Sequence, residues 1–155
     1  SRVRKYLEKN PVLKGILSLE QICKEAGVEY IPTELQPKKI LPDLYIAHGL
    51  SFNKYFACWT VERMNENIVT FHTHRTQQYS VSFPTRKVIT GYGLGCLCDT
   101  NPDYLAGKRI SGHTNSFAIL YVDNDRWQLD IIPIKDGKCL IAGKPYSYAL
   151  KTNTN

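Results

Sequence analysis

Two histidines one residue apart, His72 and His74, close an apolar, β-branched run, Asn67-Ile68-Val69-Thr70-Phe71, and Arg75 comes next. An earlier apolar run, Leu44-Tyr45-Ile46-Ala47, ends in His48-Gly49. Neutral imidazole is a ligand for zinc, iron and nickel. These residues therefore read as a metal or phosphate site. In an extended segment, residues i and i+2 face the same side with Cα atoms roughly 6.5–7 Å apart. His72 and His74 could share one ion only if the backbone curls. Two ions roughly 3.5–4 Å apart, one per imidazole, fit the spacing more naturally.

The elements that must position these side chains form a strand-helix-strand unit from Leu44 to Arg75. Asn53 is the expected N-cap of a helix of roughly three turns, with Phe56, Trp59, Thr60, Arg63 and Met64 on a mixed face. Residues 65–67 close it, and the strand Ile68 to Phe71 comes after. Such a unit joins parallel strands by a right-handed crossover, which brings both C-terminal strand ends to one rim. Open α/β sheets carry their sites on that rim. Topology thus predicts that His48 meets His72 and His74.

Other candidates carry less. His113, in Gly112-His113-Thr114-Asn115, echoes the histidine motif but lies after a polar loop, and it is a candidate substrate contact. Gly91-Tyr92-Gly93-Leu94-Gly95 resembles a phosphate loop, yet it lacks the helix signal downstream that a nucleotide-binding fingerprint requires. The five cysteines, Cys23, Cys58, Cys96, Cys98 and Cys139, form no C-x-x-C pair. They read as reduced thiols in apolar segments, with Cys96 and Cys98 on one face of a strand-like run and in the core. Asp123, Asp125 and Asp130 read as turn and surface residues.

The remaining chain supports this unit. Ser1 to Lys9 is helix-compatible and ends at Asn10-Pro11. Ser18-Leu19-Glu20-Gln21 is a capping-box pattern that opens a helix through Ala26, with Gly27 as its stop. Val28 to Ile31 is expected as a short strand, and Lys38 to Leu41 as an edge strand turning at Pro42-Asp43. After Arg75 the chain becomes β-rich: Tyr79 to Phe83 alternates, and Val88 to Cys96 is a glycine-rich strand. Residues 101–112 form a loop. Ser116 to Val122 and Trp127 to Ile134 read as a hairpin, with a strand from Lys138 to Ala142 behind it. One domain over residues 1–150, with a polar tail over 151–155, is the expected organisation.

At 155 residues with 43% hydrophobic composition, the chain can bury its own core. No apolar run reaches the ~18–20 residues that span a bilayer, and the charged N-terminus has no apolar leader behind it. A soluble, cytoplasmic protein without membrane contact is expected. A net charge of +6 favours phosphate-bearing partners, nucleic acid among them. The chain begins at Ser1, and its sole methionine is Met64. That suggests processing or a piece of a longer gene product.

Ile46-Ala47-His48-Gly49, then a helix, then Ile68-Val69-Thr70-Phe71-His72-Thr73-His74-Arg75, resembles the last two motifs of the calcineurin-like metallophosphoesterases. The downstream β segments, including Gly93-Leu94-Gly95-Cys96, resemble phage-type members. On this resemblance the chain is an α/β domain, the C-terminal half to two-thirds of an αββα sandwich. It places a parallel strand-helix-strand unit before antiparallel strands. The resemblance implies hydrolysis of phosphomonoesters or phosphodiesters, nucleic acid among the candidate substrates, at two divalent ions (Mn, Fe, Zn or Ni). His48 and His72 would hold one ion and His74 its neighbour, with Arg75 as a substrate contact. Phe71 stands where the family has glycine. The family's Asp-x-His, Gly-Asp and Gly-Asn-His motifs are not found here, and Ser1 to Leu7 resembles the stretch directly after the last of them. A truncated or split phosphoesterase is therefore expected, inactive without its N-terminal half. The competing expectation is a non-catalytic, basic β-rich module that binds nucleic acid or a protein partner.

Overall fold

The computed structural model describes residues 2–14, 18–32, 36–85, 87–100 and 112–147. Residues 101–111 of the expected loop and the tail over 151–155 lie outside the described residues. The chain divides into two compact units, Ser1–Gln36 and Pro37–Asn155.

The first unit is helical. Helix α1 (Arg2–Lys9) stops where Pro11 removes a backbone donor, and α2 (Pro11–Lys14) is a single turn. Helix α3 (Leu19–Glu25) is capped by Ser18, whose Oγ accepts from the Gln21 N–H at 3.3 Å. Only half of the expected capping box forms, because the Gln21 amide donates forward to Glu25 instead. Gly27 takes the left-handed φ of +68° that ends the helix. The strand expected at Val28 to Ile31 does not form: this stretch is non-repetitive and Val28 is 58% exposed, without the packing a short strand needs.

The second unit is mixed α/β around a five-stranded sheet. Its strands are β1 (Lys38–Leu41), β2 (Leu44–Ala47), β3 (Asn67–Thr70), β4 (Gln77–Ser82) and β5 (Val88–Gly93). Their spatial order is β1-β2-β3-β5-β4. The central three are parallel, and the two edge strands run antiparallel to them. Helix α4 (Phe56–Met64) links β2 to β3. Beyond the sheet, β6 (Ser116–Asp123) pairs with β7 (Arg126–Pro133), and β8 (Lys138–Ile141) with β9 (Lys144–Ser147). No helix among the described residues is long and apolar enough to cross a membrane.

Period-2 alternation sorts the central strands onto two cores. On one face Ala47, Ile68 and Ile89 pack with Val61 of α4. On the other, Leu44, Val69, Tyr92 and Leu94 meet Ala118, Trp127, Leu129 and Ile131 of the β6-β7 hairpin. The sheet is therefore covered by a helix on one side and a β-ribbon on the other. Glycines let α4 lie flat: a Cβ at Gly91 would press on Val61 and the Ala57 carbonyl, and one at Gly93 would overlap the Phe56 ring. Away from the histidine rim, buried Asn67 accepts from the Thr90 N–H at 2.7 Å and donates to the Asp43 carbonyl at 3.0 Å. Trp127 Nε1 donates to Asp43 Oδ1 at 2.6 Å, tying the ribbon to the sheet.

Candidate metal centre

Parallel pairing of β2 with β3, and of β3 with β5, places three strand ends on one rim. His48 lies just past β2, the His72-Thr73-His74 turn just past β3, and Leu94 to Cys98 just past β5. Strand β4 starts at the same rim, opposite Gly93, so Arg75 and Thr76 stay there.

The expected extended geometry of the His-x-His segment is not observed. Strand β3 ends at Thr70, and residues 71–74 fold into a turn in which the His74 N–H donates to the Phe71 carbonyl at 3.2 Å. The His48 carbonyl accepts from the N–H groups of both Phe71 and His72, at 3.0 and 2.7 Å. His74 then takes a left-handed φ of 54°. Histidine reaches that region more readily than most residues, at a cost of about 1–2 kcal/mol. The turn forms because the β3 ladder has ended and the His48 carbonyl replaces it as acceptor.

This turn sends the two histidines to different neighbours. His72 Nδ1 lies 2.7 Å from His48 Nε2, with the rings edge to face and their centroids 4.6 Å apart. Glycine at 49 is required for this approach, since a Cβ there would overlap the His72 Cβ. Phe52 covers His72 edge-on at 4.4 Å. His74 instead packs against His113, with ring centroids 4.9 Å apart. Its Nδ1 is buried without a hydrogen-bond partner among the described residues, as is Thr73 Oγ1. The structure thus forms two pairs, His48 with His72 and His74 with His113.

Electrostatics link these pairs into one row. Burial lowers the pKa of His72, and His48 and His74 lower it further. Burial likewise lowers that of His113, with His74 and Arg75 adding to the effect. Each neighbouring charge disfavours imidazolium, so the neutral form that can coordinate a metal is favoured.

Two imidazole nitrogens 2.7 Å apart share a single proton or face a common cation. On one ion with ligand distances of 2.0–2.1 Å, two nitrogens stand roughly 3.0–3.4 Å apart. A side-chain shift of about half an ångström converts the observed pair into a chelate, so His48 and His72 fit a divalent ion.

Arg75 is engaged in structure. Its Nη2 donates to the carbonyls of Asn53 and Phe52 at 3.0 and 3.4 Å, and its guanidinium lies over the Phe56 ring. It thereby holds the loop that carries Phe52. The helix itself starts at Phe56 behind Tyr55, which supplies no side-chain cap. The expectation of Asn53 as N-cap is corrected: its carbonyl accepts from Arg75 and Gln77 holds the loop, donating to the Lys54 carbonyl and accepting from the Ala57 N–H.

The residues that sequence reasoning placed in the core are Cys96 and Cys98, and this is also corrected. The regular strand ends at Gly93; Cys96 is half-buried and Cys98 exposed. Burial raises the pKa of the Cys96 thiol, and a hydrogen bond involving Cys98 raises it further. The signal that could have placed them at the site was topological. They lie past the end of a third parallel strand, which puts them on the same rim as the histidines. A wide concavity along β8-β9, lined by Pro133, Lys138, Pro145 and Tyr146, holds none of these residues.

Comparison with family models, curated proteins and solved structures finds no match.

Proposed function

We propose that this chain is the C-terminal part of a metal-dependent phosphoesterase, in which His48 and His72 hold one divalent ion and His74 a second. The observation that carries this reading is the 2.7 Å contact between His72 Nδ1 and His48 Nε2 at the rim of parallel strands. The helix-sheet-ribbon layering agrees with part of an αββα sandwich. When bound, divalent ions at this rim supply Lewis acidity toward phosphoryl oxygens and lower the pKa of water.

The chain's own residues do the positioning. The His48 carbonyl anchors the turn, Gly49 admits His72, and Phe52 shields one edge of the His72 ring. Arg75 holds the Phe52 loop, and His113 stands beside His74 as a group able to hydrogen-bond a phosphate ester. Carboxylate ligands and a catalytic histidine of the kind the family uses come, in this reading, from a complementary N-terminal segment. Five free cysteines fit a reducing, cytoplasmic setting.

The test is calorimetric binding of inorganic phosphate with Mn2+ or Ni2+, alongside a chromogenic phosphodiester assay in which the chain without its N-terminal segment is expected to be inactive. Phosphate binding is expected to need the metal together with His48 and His72. Turnover that survives His74→Ala contradicts the assignment. Exposed Tyr121 and Tyr146 and the net charge of +6 favour a nucleic-acid-binding module as the second reading. Salt-dependent binding to DNA or RNA without any metal requirement is its signature.

A further inference from the structure

We propose that His74, Cys96 and Cys98 form a thiolate site for one zinc-class ion, at the opposite end of the histidine row from the His48-His72 pair. This site goes beyond the phosphoesterase reading and does not depend on it. The two share only His74, and the second ion that the phosphoesterase reading puts on His74 is here the thiolate-bound one.

The three side chains each offer a donor atom, and these atoms all lie within 4.8 Å of one another. Around a tetrahedral zinc, with Zn–S near 2.3 Å and Zn–N of 2.0–2.1 Å, donors stand roughly 3.5–3.8 Å apart. Rotations that move each donor by about 1 Å or less close the set. The backbone beneath is already fixed. The Thr114 N–H donates to the His74 carbonyl at 2.9 Å, and the Cys96 N–H donates to the Thr114 carbonyl at 2.9 Å. Thr114 therefore straps the histidine turn to the cysteine segment.

Asn115 completes the support. Its Nδ2 donates to the carbonyls of Cys98 and Cys96 at 2.8 and 3.0 Å, and it lies 3.8 Å from Cys96 Sγ. Outer donors of this kind orient thiolate ligands and offset their charge. A second sign is His74 Nδ1, buried and without a hydrogen-bond partner among the described residues. A buried nitrogen without a partner is costly, and a ligand or ion at that end of the ring removes the cost.

The donor set selects the ion. Two soft sulfurs with one imidazole favour zinc over manganese or magnesium, which prefer oxygen. Binding releases the two thiol protons to solvent, and a water or His113, next to His74, takes the fourth position. Core packing does not account for the arrangement, since Cys98 is exposed.

The test uses the full chain, stripped with a chelator and titrated with Co2+ as a spectroscopic stand-in for zinc. A thiolate-to-cobalt charge-transfer band is expected, saturating near about one equivalent and bleached by Zn2+. The band is expected to vanish in Cys96→Ser and Cys98→Ser and to persist in Cys139→Ser and His48→Ala. In the wild-type protein, Zn2+ should slow alkylation of Cys96 and Cys98 at least tenfold while leaving Cys139 unchanged, as mapped by mass spectrometry. That measurement decides the matter even if a cysteine variant does not fold. Cobalt binding without the band, a band that survives both serine substitutions, or unprotected Cys96 and Cys98 overturns the proposal. Loss of the band in His48→Ala also overturns it, because the ion would then sit at the histidine pair. A persisting band with no metal-dependent phosphate binding would retain this site and count against the phosphoesterase reading alone.

Discussion

Gly49 and His72 are in such close approach that no side chain fits between them: a Cβ on Gly49 would fall on the His72 Cβ. The glycine after His48 is therefore a steric requirement of the histidine pair, whatever its role in the turn. Gly49→Ala must displace His72 or the His48 loop. Overpacking of this kind costs typically about 1–3 kcal/mol. The prediction is a lowered melting temperature together with loss of metal-dependent stabilisation. A Gly49→Ala protein that gains as much from Mn2+ as the wild type would show that this contact does not shape the site.

Phe56 joins the site to the core. It is 2% exposed, lies against Gly93 and sits under the Arg75 guanidinium. Phe56→Ala is predicted to cost about 3–5 kcal/mol, as for a buried aromatic truncated to a cavity. Guanidinium chloride unfolding measures this directly. A loss below about 1 kcal/mol would contradict the packing described.

Phe56 and Phe71 mark how far the sequence could be read. The strand at Leu44 to Ala47, the helix after it and the strand at Ile68 were legible because apolar periodicity dictates them. Their parallel pairing came from the crossover, and with it the meeting of His48 and His72. The turn after Thr70 was not legible. Phe71 continues the apolar run, and the turn there is held by the carbonyl of His48 and the N–H of Thr114, both from distant segments. The start of α4 at Phe56 was missed for a similar reason: Arg75 and Gln77 hold the loop and replace a local cap. Cys96 and Cys98 looked apolar by neighbourhood, but pairing with β3 ends at Gly93, and only an isolated bridge from Cys96 to Asn115 follows, which leaves them at the rim. The β8-β9 hairpin was half legible, since Lys144 to Ser147 is short, exposed and carries Pro145.

Asp43 and Trp127 fasten the ribbon to the sheet at the end away from the histidines. Asp43→Ala removes the acceptor for Trp127 Nε1, and the expected cost is about 1 kcal/mol because the contact is solvent-exposed. Urea unfolding should show this loss with an unchanged slope. Metal binding should be unaffected, and a change in metal affinity would contradict the separation of the two rims.

Protonation should oppose folding in the metal-free protein. His72 and His113 both have pKa values lowered from 6.5, chiefly by burial. The unfolded chain then binds more protons than the folded one between the lowered values and 6.5, so stability rises with pH in that window. The melting temperature in chelator is predicted to be flat above about pH 7.5 and to fall as pH drops through 6.5. His72→Gln should flatten part of that slope. A melting temperature that rises as pH falls through the window would contradict the burial described.

Whether His48 and His72 are aimed at a common ion is decided by thermal denaturation of the chelator-stripped chain with and without Mn2+. Saturating the site at about a hundredfold over the dissociation constant adds about 2.7 kcal/mol, a rise of roughly 5–10 °C for a chain of this length. That rise is expected in the wild type and in Cys96→Ser, and its loss in the His48→Ala/His72→Ala double variant. An equal rise in wild type and double variant, or no rise in the wild type at any Mn2+ concentration, would contradict a shared ion.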